Sequence, residues 1–235
     1  MRPWSAGERP GERAWRAPFR DTIVRVPFDH NDHYHRLLSR HVPRHGGRAL
    51  DVGCGSGRFA LRLTRLGMDV DAIDPSGEMI AQARALCPRE EGARSPRFRQ
   101  ADVTDLELPR NHYDFISCLA SIHHVPFETV SALRAALAPG GVLVILGCYR
   151  EKGRLDLLWS LAAVPVNAVA RLAARAADRL RPASAPAGWA RTDPPVKQPG
   201  MTLSRIHSEA AVLLPGSRIR RLLFWRYLLV FRNSR

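Results

Sequence analysis

The sequence predicts an α/β fold: a doubly wound, mostly parallel sheet finished by an antiparallel hairpin. Three observations predict it. A short apolar run, Ala49, Leu50 and Val52, leads into glycines at 53, 55 and 57, and a helical pattern begins near Gly57. Strand and helix patterns then alternate as far as Gly147, as βαβ units require. Two strand patterns close the chain, Ser217 to Leu223 and Phe224 to Phe231, so closely joined that they must run antiparallel.

The totals set the frame. A length of 235 residues suits one domain, read as residues 21–235. Residues 1–20 are rich in Arg, Pro and Gly without periodicity and read as a disordered arm. They lack an apolar core, so they are not a secretory signal. No apolar run approaches the roughly 20 residues that span a bilayer, so no membrane partner is expected. Cys54, Cys87, Cys118 and Cys148 are scattered and read as free thiols of a cytoplasmic protein. The net charge is +14, yet only Lys152 and Lys197 are lysines, and the arginines are spread along the chain. The densest cluster is Arg218, Arg220, Arg221 and Arg226, which reads as a solvated basic surface and not a nucleic-acid footprint.

In order, Tyr34, Leu37 and Leu38 sit at helical spacing, with Asp29 or Asn31 as N-cap, and residues 28–47 read as an N-terminal helix covering the site. His30, His33 and His35 crowd this stretch. His33 and His35 are two apart and point to different faces, so no metal site is expected. Gly67 stops the helix after the glycine turn, and Asp69 to Ile73 is a second strand closing on Asp74. Pro75 and Ser76 lead a helix from Gly77 to Leu86. Arg97 to Gln100 is a third strand, and Tyr113 to Cys118 a fourth. Glu128 to Ala138 is a helix stopped by Pro139, and Val142 to Gly147 a fifth, buried strand. Residues 151–200 break the alternation with two helical patterns and a Pro-rich loop, read as an inserted lid. Thr202 to Leu214 is the last helix.

The glycine turn admits two ligands, a dinucleotide or S-adenosylmethionine. A dinucleotide fingerprint needs a small residue at position 58, where Arg58 stands. Asp51, two residues before Gly53, would repel a pyrophosphate but attract the sulfonium and ammonium of S-adenosylmethionine. Asp74 lies 23 residues beyond Asp51, where an acid at a second-strand tip can accept from both ribose hydroxyls. These three features together point to S-adenosylmethionine.

At these residues the chain resembles the class I, Rossmann-like S-adenosylmethionine-dependent methyltransferases, in their small-molecule "type 11" group. ALDVGCGSG is similar to that family's first motif, DAIDPSGEMI to its second and QADVTDLELP to its third. YDFISCLASIHHV resembles the fourth-strand motif and LAPGGVLVILG the fifth. The likeness spans about residues 28–150, and 201–231 more loosely. It implies a seven-stranded sheet whose last pair is an edge hairpin. It also implies a cofactor site built from Tyr34, Asp51, Gly53, Cys54, Gly55, Gly57, Asp74, Pro75, Met79, Asp102, Val103, Leu119 and Ala120. In the family the position of Asp102 meets the adenine amino group, the next amide meets the ring, and Leu119 and Ala120 contribute backbone.

Methyl transfer is an in-line displacement, so holding nucleophile, methyl carbon and sulfur in line supplies much of the acceleration. An oxygen or protonated nitrogen nucleophile also needs a base. His123 and His124, just after the fourth strand, are the expected catalytic residues, with His124 as base. His30, His33 and His35 stand behind them, and Trp159 and Asn167 are candidates for the acceptor wall. The expected function is methyl transfer to O, N or C of a small organic molecule. The alternatives are an RNA methyltransferase and a non-catalytic S-adenosylmethionine-binding protein.

Overall fold

The structure is a computed structural model that describes residues 30–87, 94–150, 199–222 and 225–234, with side chains from Tyr34 onward. The expected arm and the inserted lid, with Trp159 and Asn167, lie outside the described residues.

Helix α1, His30–Ser39, precedes the sheet. Asn31 is its second residue, so Asn31 is not its cap. Then come β1, Gly47–Val52, α2, Arg58–Arg65, β2, Met68–Asp74, α3, Gly77–Leu86, and β3, Arg97–Gln100. Strand β4, Tyr113–Leu119, is followed by a 3-10 turn, Ile122–His124, by α4, Thr129–Ala136, and by β5, Leu137–Cys148. Helix α5, Leu203–Leu213, leads to β6, Arg218–Arg221, and β7, Arg226–Arg232.

The seven strands lie in the order β3-β2-β1-β4-β5-β7-β6. The first five run parallel, and β7 is antiparallel to both its neighbours. From β1 the chain moves outward to β2 and β3, then returns across to β4. This reversal between β1 and β4 is the topological switch point, where strand ends splay and ligands bind.

Successive residues of each strand serve opposite faces. Leu50, Ile116, Ile145 and Leu229 pack with Val130 and Leu133 of α4 and Ile206 of α5. Ala49, Phe115, Val144 and Leu228 pack with Leu38 of α1 and Phe59 and Leu63 of α2. A parallel sheet covered on both faces needs such near-continuous apolar strands.

The largest boundary shift from the expectation lies between α4 and β5. Helix α4 ends at Ala136, two residues early, and β5 begins at Leu137, whose ψ is already 132°. Pro139 disfavours helix at Ala138, and Leu137 finds a ladder partner in Tyr113. A register shift follows between Tyr113 and Phe115, which lets the Pro-Gly-Gly bend join the strand.

Candidate functional site

The glycine turn sits at the switch point. Gly53, Gly55 and Gly57 have φ of 68°, 51° and 77°, a left-handed conformation that favours glycine. The amides of Gly53 and Cys54 both donate to the Ile73 carbonyl, at 2.8 and 3.0 Å, which ties the turn to β2. A Cβ on Gly57 would stand 2.6 Å from the Phe98 ring, so its absence lets α2 pack close to the sheet. A Cβ on Gly53 would strike the Ser121 side chain. A Cβ on Gly55 would meet nothing within 4 Å. Gly57 and Gly53 are therefore glycines for packing, while Gly55 faces open space where a ligand can approach the backbone.

Two buried carboxylates underlie the turn. Asp51 is 1% exposed, and Ser117 Oγ donates to its Oδ1 at 2.7 Å. Burial pushes its pKa up to about 7, the Ser117 hydrogen bond opposes that rise, and the charge of Asp74 adds to it. Asp74 closes β2. Its Oδ2 accepts the Gly55 N–H at 2.9 Å and its Oδ1 the Ser76 N–H at 2.9 Å. Each carboxylate oxygen has a further lone pair. No ion pair among the described residues reaches either acid. Two acids under an open turn, with no cation paired to them among the described residues, suit a positively charged ligand.

Beyond β3, Asp102 Oδ1 accepts from the Thr104 N–H at 2.9 Å and the Thr104 hydroxyl at 2.8 Å. Its Oδ2 has no partner among the described residues. Val103 is buried, and its N–H likewise has no acceptor among them. Pro75 is exposed, and Met79 is 8% exposed in the first turn of α3, whose N-cap Ser76 accepts the Met79 N–H at 3.3 Å.

After β4, Leu119 and Ala120 are half-buried. Ala120 has φ 53° and donates to the Leu146 carbonyl at 2.7 Å, which turns the chain away from the sheet. Ser121 then donates to the Val52 carbonyl at 2.6 Å and packs behind Gly53, so the 3-10 turn abuts the glycine turn. His124 on that turn is exposed, His123 is half-buried, and their ring centroids are 4.1 Å apart. Tyr34 is 5% exposed and packs in the apolar cluster of α1 and α2, to which Cys54 and Leu119 also add. His35 lies against Phe59, ring centroids 5.0 Å apart.

The structure thus gathers the turn, Asp51, Asp74 and Ser121 around one strand edge and sets the 3-10 turn beside them. Ser117 and Ser121 were not singled out from the sequence. Their partners lie 66 and 69 residues away, and only the β1–β4 pairing brings them close. The residues fit S-adenosylmethionine: buried carboxylates for positive charge, an open Gly55 for close backbone approach, and Asp102 with Val103 offering an acceptor and a donor.

A parallel sheet with a ligand turn at its switch point and acids on adjacent strand tips defines a Rossmann-like adenosyl-cofactor protein. A family model described as a methyltransferase domain matches residues 50–145. An uncharacterized methyltransferase of Mycobacterium tuberculosis is 32% identical over 209 residues, 88% of this chain and 97% of the relative. The chain belongs to the class I S-adenosylmethionine-dependent methyltransferases, and S-adenosylmethionine is its cofactor. A ubiquinone biosynthesis O-methyltransferase of Xanthomonas euvesicatoria is 35% identical over 130 residues, 54% of this chain and 52% of its own. The fold is shared with magnesium protoporphyrin IX methyltransferase of Synechocystis, solved with S-adenosylmethionine bound. That likeness has a TM-score of 0.52 at 16% identity, covering 87% of this chain and 78% of that one. No helix among the described residues is long and apolar enough to cross a membrane.

Proposed function

We propose that this methyltransferase acts on O, N or C of a small organic molecule. The observation that carries the reading is the 3-10 turn Ile122–His124, which follows β4, packs through Ser121 behind Gly53, and leaves His124 exposed. The similarity to a ubiquinone biosynthesis O-methyltransferase supports an acceptor of this size. The four free thiols fit a reducing, cytoplasmic setting.

S-adenosylmethionine, when bound, supplies a methyl group already activated on a sulfonium. The chain's part is to bind, orient and move a proton. Asp74 offers its remaining lone pairs to the ribose hydroxyls while its bonds to Gly55 and Ser76 hold the carboxylate in place. Asp51 faces the positive charge. Asp102 Oδ2 and the Val103 N–H read the adenine edge, with Pro75 and Met79 along its side. Leu119 and Ala120 hold the cofactor through backbone, and Tyr34 and Cys54 close the α1 side. His124 Nε2 or Nδ1 takes the acceptor proton, with His123 beside it.

Methyl-labelled S-adenosylmethionine, incubated with the protein and a cell extract split into small-molecule and RNA fractions, tests this. Label is expected in the small-molecule fraction. Label confined to nuclease-sensitive RNA overturns the reading.

A further inference from the structure

Arg226 opens β7 directly opposite Cys148, the last residue of β5. Its Nη1 lies 3.7 Å from Cys148 Sγ. Strand alternation turns both side chains to the α1 and α2 face, the face of Leu146 and Leu228. Tyr34 of α1 is buried in the same apolar layer as Leu228. Burial raises its phenol pKa, and the Arg226 charge opposes that rise.

Arg97 and Arg205 each hold a carboxylate at 2.7 Å. Arg226 is half-buried, and no carboxylate pairs with it among the described residues. Among the described residues its side chain meets the Cys148 thiol, and its charge acts on the Tyr34 phenol. A guanidinium partly out of water beside two neutral groups is undercompensated and suits an anion. Its place in the sheet narrows which anion. Arg226 lies on the carboxyl edge of the parallel strands, in the layer that includes Cys54 and Leu119. It is four strands from Asp74 in the order β2-β1-β4-β5-β7, roughly 19 Å at about 4.8 Å per strand. With ribose and adenine held on the β2 and β3 side, this cation stands at the far, acceptor end.

We propose that Arg226 is the anion-recognition point of the acceptor pocket, and that the methyl acceptor carries an acidic group such as a carboxylate. The proposal rests on the small-molecule reading, which label transfer tests separately.

Cys148 is a built-in reporter. Iodoacetate carries a carboxylate and iodoacetamide does not. Each alkylates a thiol with an S–C bond formed, iodide leaving and the thiol proton passing to solvent. In full-length protein saturated with S-adenosylhomocysteine, peptide mass spectrometry gives the iodoacetate-to-iodoacetamide rate ratio at Cys148. That ratio is expected at least tenfold above the value for N-acetylcysteine. In Arg226→Gln it falls to that value, in Arg226→Lys it is partly kept, and S-adenosylhomocysteine affinity by calorimetry stays within twofold. A wild-type ratio equal to the free thiol, absence of labelling at Cys148, or a ratio unchanged in Arg226→Gln overturns the proposal. A tenfold loss of S-adenosylhomocysteine affinity in Arg226→Gln also overturns it, by giving the cation to the cofactor's own carboxylate.

Discussion

Ser117 Oγ donates to Asp51 Oδ1 at 2.7 Å, a bond that joins β4 to β1 beneath the glycine turn. It is a donor held against an acid that is otherwise enclosed and beside a second acid. The folded protein holds the Asp51 proton up to about pH 7, against an ordinary value of 3.8. The folded state therefore binds more protons than the unfolded state across that interval. Cofactor-free stability falls as pH rises from about 4 to about 7, by roughly 4 kcal/mol at most, and then levels. Asp51→Asn removes this slope and is expected to raise the unfolding midpoint at pH 8 while weakening S-adenosylmethionine. Urea unfolding across pH, paired with calorimetry, measures both. A variant with the wild-type slope would mean that Asp51 is not the titrating group.

Asp74→Ala is expected to lower affinity for S-adenosylhomocysteine by roughly tenfold to ten-thousandfold. It removes one or two hydrogen bonds to a charged acceptor, each worth about 1.5–3 kcal/mol. It also frees the Gly55 and Ser76 amides, so the turn keeps only the Gly53 and Cys54 bonds to the Ile73 carbonyl as its tie to β2. Asp74→Asn keeps one acceptor oxygen and is expected to fall between. Titration calorimetry of the three proteins decides, and equal affinity in all three would remove Asp74 from the ribose.

Gly55→Ala and Gly57→Ala separate ligand clearance from packing. Both positions have positive φ, so each alanine costs roughly 1–2 kcal/mol of strain. At Gly57 the new methyl also meets Phe98 at 2.6 Å and the Ala83 methyl at 3.0 Å. At Gly55 it enters open space. Thermal unfolding should show the larger loss at Gly57, and calorimetry the larger loss of cofactor affinity at Gly55. The reverse pattern would place the ligand elsewhere.

Legibility in the sequence tracked how local each signal was. Helix α3 and strand β3 occupy the residues that Ser76, Gly77 and the short Arg97–Gln100 pattern marked, because caps and glycines act within a few residues. The start of β5 was hidden because Leu137 answers to Tyr113, 24 residues earlier, rather than to its own helix. The arginine cluster read as one solvated surface, yet its members divide. Arg218 and Arg220 are exposed, Arg221 donates to the Tyr149 hydroxyl at 2.8 Å, and Arg226 turns under α1. Composition could not make that division, since it depends on which strand face each residue takes.

His124→Gln is expected to leave cofactor affinity within twofold and to slow methyl transfer by roughly a hundredfold or more, the usual weight of a general base. The rate of label transfer to the small-molecule fraction, followed against pH, provides the readout. A general base must be unprotonated to act, so the wild type should lose activity on the acid side. The variant should lack that limb. A variant that keeps both rate and limb would shift the base to His123 or to α1.

Arg97 gives a stability test away from the cofactor. Its Nε donates to Asp71 Oδ1 at 2.7 Å and its Nη1 to Asp69 Oδ1 at 2.7 Å. The two pairs differ in setting: the Asp71 side chain is 4% exposed, that of Asp69 48%. Tyr113, fully buried, donates its hydroxyl to Asp71 Oδ2 at 3.2 Å, and burial with the Asp71 charge raises its pKa. Arg97→Ala leaves the Asp71 carboxylate with that single weak donor. The expected cost is about 2–3 kcal/mol, below the full value of a buried pair because Arg97 is itself 46% exposed. Asp69→Ala removes only a surface pair and is expected to cost under about 1 kcal/mol. Both variants should bind S-adenosylhomocysteine normally, since Asp71 and Arg97 pair three residues before the Asp74 tip. Urea midpoints give the comparison. Equal losses would mean that the Arg97–Asp71 contact is no stronger than the exposed one.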